Sequence, residues 1–353
     1  MREKLLATLL VCASTAITLL LLEAGVRIFE SEYGWGNFRE QKITLFRSAY
    51  PAAHDAELGW IPKPGTRGNQ NIWRTQVSIL DYGIRANGAD GKLPSPAGPP
   101  PILAVGDSFT FGDQVSDAES WPAWLQQLSS HPVLNGGVFS YGIDQSYLRA
   151  KQLVERFHPK ILIFGFIAED IDRCRLSERN AVAKPYFTLE NDRLALHNTP
   201  VPPPPERSSA TTWKDVLGHS YLAHKVMMKA FKSYWLQGDW WRDTPAHEQG
   251  DAVACKVLQA LEQFSAARGV RLYLLMQYKR DDIHEARVLD QYRRLRACLQ
   301  PGTAVIDLQA GLAAEQQRDA DGYKSLFKGH MTAQGNRWVA EQVWRVVSKD
   351  VGH

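Results

Sequence analysis

The spacing of apolar and polar positions changes near residue 100. Beyond it, short apolar runs alternate with longer amphipathic stretches. Ile161-Leu162-Ile163-Phe164 and Leu272-Tyr273-Leu274-Leu275-Met276 are near-continuous apolar runs, as strands covered on both faces are. The pattern predicts strands at 101–106, 132–136, 160–166, 270–276 and 303–307. It predicts helices at about 117–130, 144–157, 250–268, 283–299 and 334–348. Short apolar strands separated by helices argue for an α/β fold with a doubly wound parallel sheet. Five strands suit the flavodoxin-like order 2-1-3-4-5.

Upstream the pattern is different. Arg2 and Lys4 precede an uncharged, Leu-rich run from Leu5 to Leu22 that closes at Glu23. A bilayer takes about 20 apolar residues, so the run reads as a transmembrane signal anchor (5–22) behind a cytoplasmic tip (1–4). A cleavable signal peptide is the alternative, but Glu23-Ala24-Gly25 is a poor cleavage site. Cys12, with Val11 before it and the apolar run continuing beyond, is a poor lipid-attachment site. The basic residues lie before the span, and only Arg27 follows closely, which places the body outside the cytoplasm. Residues 23–100 are broken by Pro62, Pro64, Pro94, Pro96, Pro99 and Pro100. They read as an embellishment packed on the main domain (101–353), with one strand over Trp73 to Leu80.

An insertion at about 175–245 interrupts the strand–helix alternation. Tyr186 to Leu196 reads as a hairpin turning at Asn191-Asp192, Val201-Pro202-Pro203-Pro204-Pro205 as a stiff extended segment, and 214–237 as helix. Such an insertion above the sheet's carboxyl edge could form a lid or a substrate wall. Trp235, Trp240 and Trp241 either stack on sugar rings or pack the insertion onto the sheet.

The length of 353 residues allows one large or two small domains, and 44% apolar content is ample for a core. The net charge of +3, from 41 basic and 38 acidic residues, leaves no nucleic-acid footprint. No Cys/His spacing matches a zinc site, and there is no P-loop or Gly-rich dinucleotide turn, so neither a metal nor a cofactor is expected. Cys174 and Cys255 both fall at the carboxyl edge of the expected sheet and Cys298 at the opposite side. Either Cys174 pairs with Cys255, or all three are free thiols.

The candidate chemistry begins at Gly106-Asp107-Ser108-Phe109, where a buried strand ends in a sharp turn. Carboxyl ends of strands are where open α/β sheets bind ligands, and a serine there lies near backbone N–H groups able to hold an oxyanion. Gly, Asp and Ser are also ordinary turn residues. Three further stretches follow in order: Asn135-Gly136-Gly137-Val138-Phe139-Ser140-Tyr141-Gly142, Gly165-Phe166-Ile167-Ala168-Glu169-Asp170, and Gly329-His330-Met331-Thr332-Ala333-Gln334-Gly335-Asn336. Together they resemble the four blocks of the SGNH (GDSL-type) hydrolases over about residues 100–350. Glu57-Leu58-Gly59-Trp60 and Tyr82-Gly83-Ile84-Arg85 resemble the lead-in of membrane-anchored bacterial members.

The resemblance implies Ser108 as nucleophile, His330 as general base, and an oxyanion hole drawn from Ser108, Ser140 and Glu169. Three positions depart from the family pattern. Ser140 stands where the family has Gly, Glu169 where it has Asn, and Phe327 and Lys328 where it has the Asp that orients the histidine. Asp321 and Asp319 lie nine and eleven residues before His330, and a loop could bring either back as orienter. Glu169 could oppose the oxyanion as a carboxylate, donate to it if protonated, or itself orient His330; Asp170 could be the relevant group instead. The resemblance implies an esterase or acyltransferase acting on O-acyl, in first place O-acetyl, groups of a cell-envelope or exported polysaccharide, at the outer side of a bacterial inner membrane. The departures motivate the other reading, an SGNH-fold protein that binds glycan or partners in polysaccharide assembly or export without turnover.

Overall fold

A computed structural model describes residues 2–351, apart from 31, 33, 35, 40–44, 46–50, 69–74, 205–211 and 237–240. Helix α1 (Arg2–Phe29) is followed by β1 (Ile102–Val105), α2 (Ser108–Phe111), α3 (Trp121–Ser129), β2 (Val133–Asn135), α4 (Ile143–Phe157), β3 (Ile161–Phe166) and α5 (Ala168–Asp172). After these come α6 (Tyr221–Ala230), α7 (Gly250–Ala267), β4 (Arg271–Met276), α8 (Ala286–Ala297), β5 (Ala304–Asp307) and α9 (Ala333–Val347). The strands form one parallel sheet in the order β2-β1-β3-β4-β5. This is the expected flavodoxin-like order.

Parallel strands need right-handed crossovers. The chain moves from β1 to β2 in one direction and from β2 through β3 and β4 to β5 in the other. Hence α4, α7 and α8 cover one face, while α3 and α9 pack together on the other. Every side chain of β1 and β3 is consequently buried. Helix α4 shows the pattern on its own. Ile143, Tyr147, Ala150, Leu153 and Val154 recur at helical spacing and face the sheet, while Glu155 and Arg156 face water. Each such apolar side chain contributes about 1.5–3 kcal/mol when fully buried.

The N-terminal stretch packs against this domain. Leu58 and Trp60 are fully buried with Phe111, Val138, Phe139 and Tyr141 in a second, smaller core. Trp60 Nε1 donates to the Phe139 carbonyl at 3.0 Å. Among the described residues of the stretch expected as a strand, Trp73 to Leu80, no strand forms. Trp73 and Arg74 lie outside the described residues, and Ile79 makes an isolated bridge to Arg85. The reason is competition for the backbone. Ser78 N–H goes to the Asp117 carboxylate at 2.9 Å, and Leu80 N–H to the Ile84 carbonyl across a turn at 2.7 Å.

In the insertion the hairpin forms as expected, Tyr186–Glu190 against Arg193–His197. Its turn residues Asn191 and Asp192 have φ of 51° and 61°. The expected helix becomes three, Trp213–Leu217, α6 and Lys232–Leu236, because Ser220 caps a new start after Gly218-His219; Gln237 and Pro205 lie outside the described residues. Trp235 is fully buried and packs on His224 and Trp213, so it serves packing. Trp241 joins a strand, Trp241–Asp243, paired with Leu176–Arg179. Trp240 lies outside the described residues.

The expected Cys174–Cys255 pairing is overturned. Cys255 bonds to Cys298, with Cα atoms 6.0 Å apart, and Cys174 is buried and free, its thiol donating to the Asp170 carbonyl. The two helices are staggered. The end of α8 lies beside the middle of α7, where Gln259 Nε2 donates to the Cys298 carbonyl and Glu262 accepts from Gln300 N–H.

Candidate active site

Ser108 is held at the carboxyl edge by the turn that follows β1. Asp107 caps α2, accepting the Phe109 N–H at 2.9 Å, and Ser108 Oγ lies 3.4 Å from Asp107 Oδ2. The turn is tight enough that a side chain at Gly106 would lie 2.3 Å from the Gly165 carbonyl. One at Gly137 would lie 2.3 Å from the Phe111 nitrogen. Two of the four sequence blocks therefore need glycine to press against the nucleophile turn. Arg85, fully buried, braces the far end of that turn. Its guanidinium donates to the carbonyls of Phe111 at 2.7 Å, Gly112 at 2.5 Å and Val115 at 2.6 Å, and Asp117 lies 3.5 Å away.

His330 arrives from the other end of the chain. Phe327–Lys328 and His330–Met331 form a small antiparallel pair just before α9, turning at Gly329 with φ of 82°. Gln114 Oε1 accepts the His330 N–H at 2.9 Å, and the imidazole rests against the Phe109 ring, centroids 5.0 Å apart. The result is a Ser108 Oγ to His330 Nε2 distance of 2.9 Å. Burial pushes the imidazole pKa down from 6.5 to about 4, with Arg173 and Lys279 pushing the same way and Glu169 opposing. The histidine is therefore neutral at physiological pH, as a general base must be.

The candidate orienters fall in different places. Asp319 caps its own helix, accepting the N–H groups of Asp321 and Gly322. Asp321 is exposed and pairs with Lys324 at 3.0 Å. Both are committed to the helix Ala320–Ser325, and neither is brought to His330. A carboxylate the sequence reading passed over comes nearer: Asp113 Oδ2, buried, lies 3.9 Å from His330 Nε2. It approaches the nitrogen that faces Ser108.

Glu169 is in the site's charged wall. It pairs with Arg173 at 3.1 Å and with the ammonium of Lys279. Burial would raise its pKa, but Arg173 and Lys279 outweigh that and hold it at about 2. This favours the ionised carboxylate over a protonated Glu169 donating to an oxyanion at neutral pH. Ser140 has φ of 66°, in the left-handed region that glycine adopts without steric cost.

Behind this wall Arg173 is buried among acids. It donates to Asp170 at 2.5 Å and to the Tyr141 carbonyl at 2.7 Å, and stands 3.9 Å from Asp107. Burial raises the Asp170 pKa well above the carboxylate range, Asp107 adds to this, and Arg173 opposes it. Asp170 thus braces the block that carries Glu169; its Oδ2 also accepts the Ile167 N–H at 3.0 Å. Arg179 is lowered to about 9 by burial and by Arg173 beside it. Arg173 follows Glu169 by four residues, a spacing that pairs opposite charges on a helix, whereas Arg179, Lys279, Asp113 and Gln114 had no signal in their spacing. Only proximity of Asp113 and Gln114 to Ser108 in the chain could have drawn attention to two of them.

No family model matches this chain, and no curated protein matches it significantly in sequence. Solved structures do match. One is a putative lipolytic protein of the G-D-S-L family from Desulfitobacterium hafniense DCB-2, at 16% identity and TM-score 0.38, covering 70% of this chain and 99% of that one. Another is the acetyl xylan esterase AlAXEase, at 14% identity and TM-score 0.41, covering 70% and 100%. A third is LAE5, an α/β hydrolase enzyme from the metagenome of Lake Arreo, Spain, at 13% identity and TM-score 0.44, covering 71% and 96%.

Proposed function

We propose that this chain is a membrane-anchored serine esterase or acyltransferase of the SGNH type, acting on O-acyl groups of a cell-envelope or exported polysaccharide. One observation carries the catalytic reading: Ser108 Oγ and His330 Nε2 stand 2.9 Å apart at the carboxyl end of β1, within the reach a nucleophile–base pair needs. His330, neutral, takes the Ser108 proton as Oγ bonds to the acyl carbon. The negative charge then sits on the former carbonyl oxygen, for which we assign the main-chain N–H groups of Ser108 and Ser140 as donors. Collapse breaks the bond to the sugar oxygen, which leaves with the proton from His330. Water or a second sugar hydroxyl, deprotonated by His330, attacks the acyl-enzyme and regenerates Ser108. Asp113 supplies a carboxylate 3.9 Å from His330 Nε2, and Gln114 and Phe109 fix the loop and the ring. The O-acetyl group and the glycan follow from the sequence resemblance.

The anchor reading is supported by how α1 ends. Within Lys4–Phe29 an 18-residue window has a mean hydropathy of 2.5 and is not buried in the protein. Glu23, Arg27 and Glu30 at the end of α1 are bonded to residues 219–225 of the folded domain. Retention of α1, with the domain outside the cytoplasm, is the reading we take.

The test is labelling of the purified protein with a fluorophosphonate probe, beside acetyl release from a small ester and from an acetylated glycan. We expect labelling at Ser108 and release by the wild type. Ser108→Ala and His330→Ala should each lose about as much activity as the double variant, because such groups act as a unit. Wild-type release by Ser108→Ala would end the esterase reading. The ion-paired Glu169 favours a second reading, a glycan-binding protein on the same fold, which predicts binding of the glycan with no labelling.

A further inference from the structure

The uncharged run of α1 stops at Glu23, which marks the level where the span would leave the hydrocarbon. At that level the carboxylate of Glu23 caps another helix: it accepts the N–H groups of Tyr221 at 2.7 Å and Leu222 at 2.8 Å and the Ser220 hydroxyl at 2.8 Å. Arg27 bonds to Glu23 at 2.5 Å and to the His219 carbonyl at 3.0 Å. One turn further, Glu30 pairs with Lys225 at 2.8 Å. Helix α6 is thus tied, end and flank, to the point where α1 emerges.

The unit built around α6 has two unlike sides. Inward, Asp215 meets Arg39 at 3.1 Å and Asn37, while Trp235 Nε1 donates to His224 Nδ1 at 3.2 Å. Outward it carries large apolar groups in water. Trp213 is 51% exposed, Val216 63%, Leu217 40%, Val226 52%, Phe231 56% and Tyr234 56%. Trp213, Val216 and Leu217 share one helix face by their spacing, and Trp213 stacks on Tyr234, centroids 6.2 Å apart. Lys214, Lys229 and Lys232 are interleaved with them. Large apolar groups exposed in such number on one short unit mark an interaction surface. Aromatics that anchor at the headgroup level, with lysines among them, form the composition that lies in a membrane interface.

We propose that residues 213–236 form a foot that rests on the bilayer leaflet from which α1 emerges. Trp213, Val216, Leu217, Val226, Phe231 and Tyr234 enter the headgroup and upper acyl region, and the lysines meet anionic lipid phosphates. The inference rests on the reading that α1 spans the membrane, because the junction at Glu23 sets the height of α6. Two points of attachment would fix the domain's orientation over the leaflet, where one helix alone would leave it free to swing.

The test uses the full chain, with Cys12→Ser, reconstituted in vesicles of phosphatidylcholine and phosphatidylglycerol. A fluorophore is placed on single substitutions Val216→Cys, Val226→Cys or Phe231→Cys. Ala16→Cys serves as the reference inside the span and Arg293→Cys as the reference on α8. We expect nitroxide-labelled lipid to quench the three foot positions and position 16, and aqueous iodide to quench position 293 alone. Foot labels that behave like position 293, with position 16 still quenched by lipid, overturn the foot and leave the anchor standing. Absence of lipid quenching at position 16 overturns the anchor, and the foot with it. Foot labels shielded from both quenchers mean that a second copy covers the surface, which also overturns the proposal.

Discussion

His330 takes its acid–base character from burial first and from Arg173 and Lys279 second. Its pKa of about 4 means the base form persists well below the usual range, so kcat/KM should hold level down to about pH 5 and fall near pH 4. The Lys279→Gln variant removes one of the cations that oppose protonation. Its acid limb should therefore move to higher pH, and a pH–rate profile in which it stays in place or moves down would show that Lys279 does not act on the imidazole. The sign for stability is the same. The unfolded chain binds a proton near pH 6.5 that the folded site refuses until about pH 4, so stability falls as pH drops through that window. Glu169 makes a second prediction. Held at about pKa 2, it stays ionised between pH 5 and 9 and contributes no step to the profile there. As an anion beside the reacting centre it opposes charge on the intermediate. Removing an oxyanion donor costs roughly 10²–10³ in other enzymes. Gaining net positive charge should do the reverse on a smaller scale, and Glu169→Gln should hydrolyse a simple acetate ester about tenfold faster. A slower variant would mean the carboxylate is needed where it stands.

The nucleophile turn is an element that cannot hold itself. Helix α2 is a single turn, and the carbonyls that follow it are collected by one side chain, Arg85, from outside the strand–helix alternation. Arg85→Met fits the space roughly but takes the guanidinium from the carbonyls of Phe111, Gly112 and Val115 and leaves Asp117 without its cation. Breaking a buried pair from one side costs about 3–5 kcal/mol. The denaturation midpoint should fall accordingly, at an unchanged slope with denaturant. A midpoint close to wild type would show that water or a shifted Asn135 amide, which already donates to Phe111 at 3.2 Å, replaces the guanidinium.

At the scale of the whole molecule, the end of α1 makes specific contacts with residues 219–225 of the folded domain. The Arg27 side chain is nearly buried and bridges Glu23 to the His219 carbonyl. A chain cleaved near residue 25 would leave Ser220, Tyr221 and Leu222 without their capping carboxylate. We therefore expect the mature protein to begin at its own N-terminus and to stay with membranes through a carbonate wash. A reporter fused after residue 353 should be active outside the cytoplasm and inactive within it. A soluble product with a new N-terminus near residue 25 would show instead that these contacts serve only the precursor.

What the sequence determined alone is what periodicity and short blocks record. The five strands, their order, the helices between them and the hairpin at Asn191-Asp192 were legible because burial on one or both faces writes itself into neighbouring residues. Ser108 could be singled out at the end of a buried strand, and His330 through the resemblance of its short block to the SGNH pattern. Their approach to 2.9 Å, and everything around them, was decided by tertiary structure. Asp319 and Asp321 are close to His330 in the chain, yet they face away because Asp319 caps a helix between. Lys279 reaches Glu169 from the end of a different strand, β4, and Cys255 meets Cys298 through the stagger of two helices. Such pairings depend on the relative depth and register of separate elements. No local pattern of apolar and polar residues encodes that depth, so only the packed molecule fixes which charge faces which.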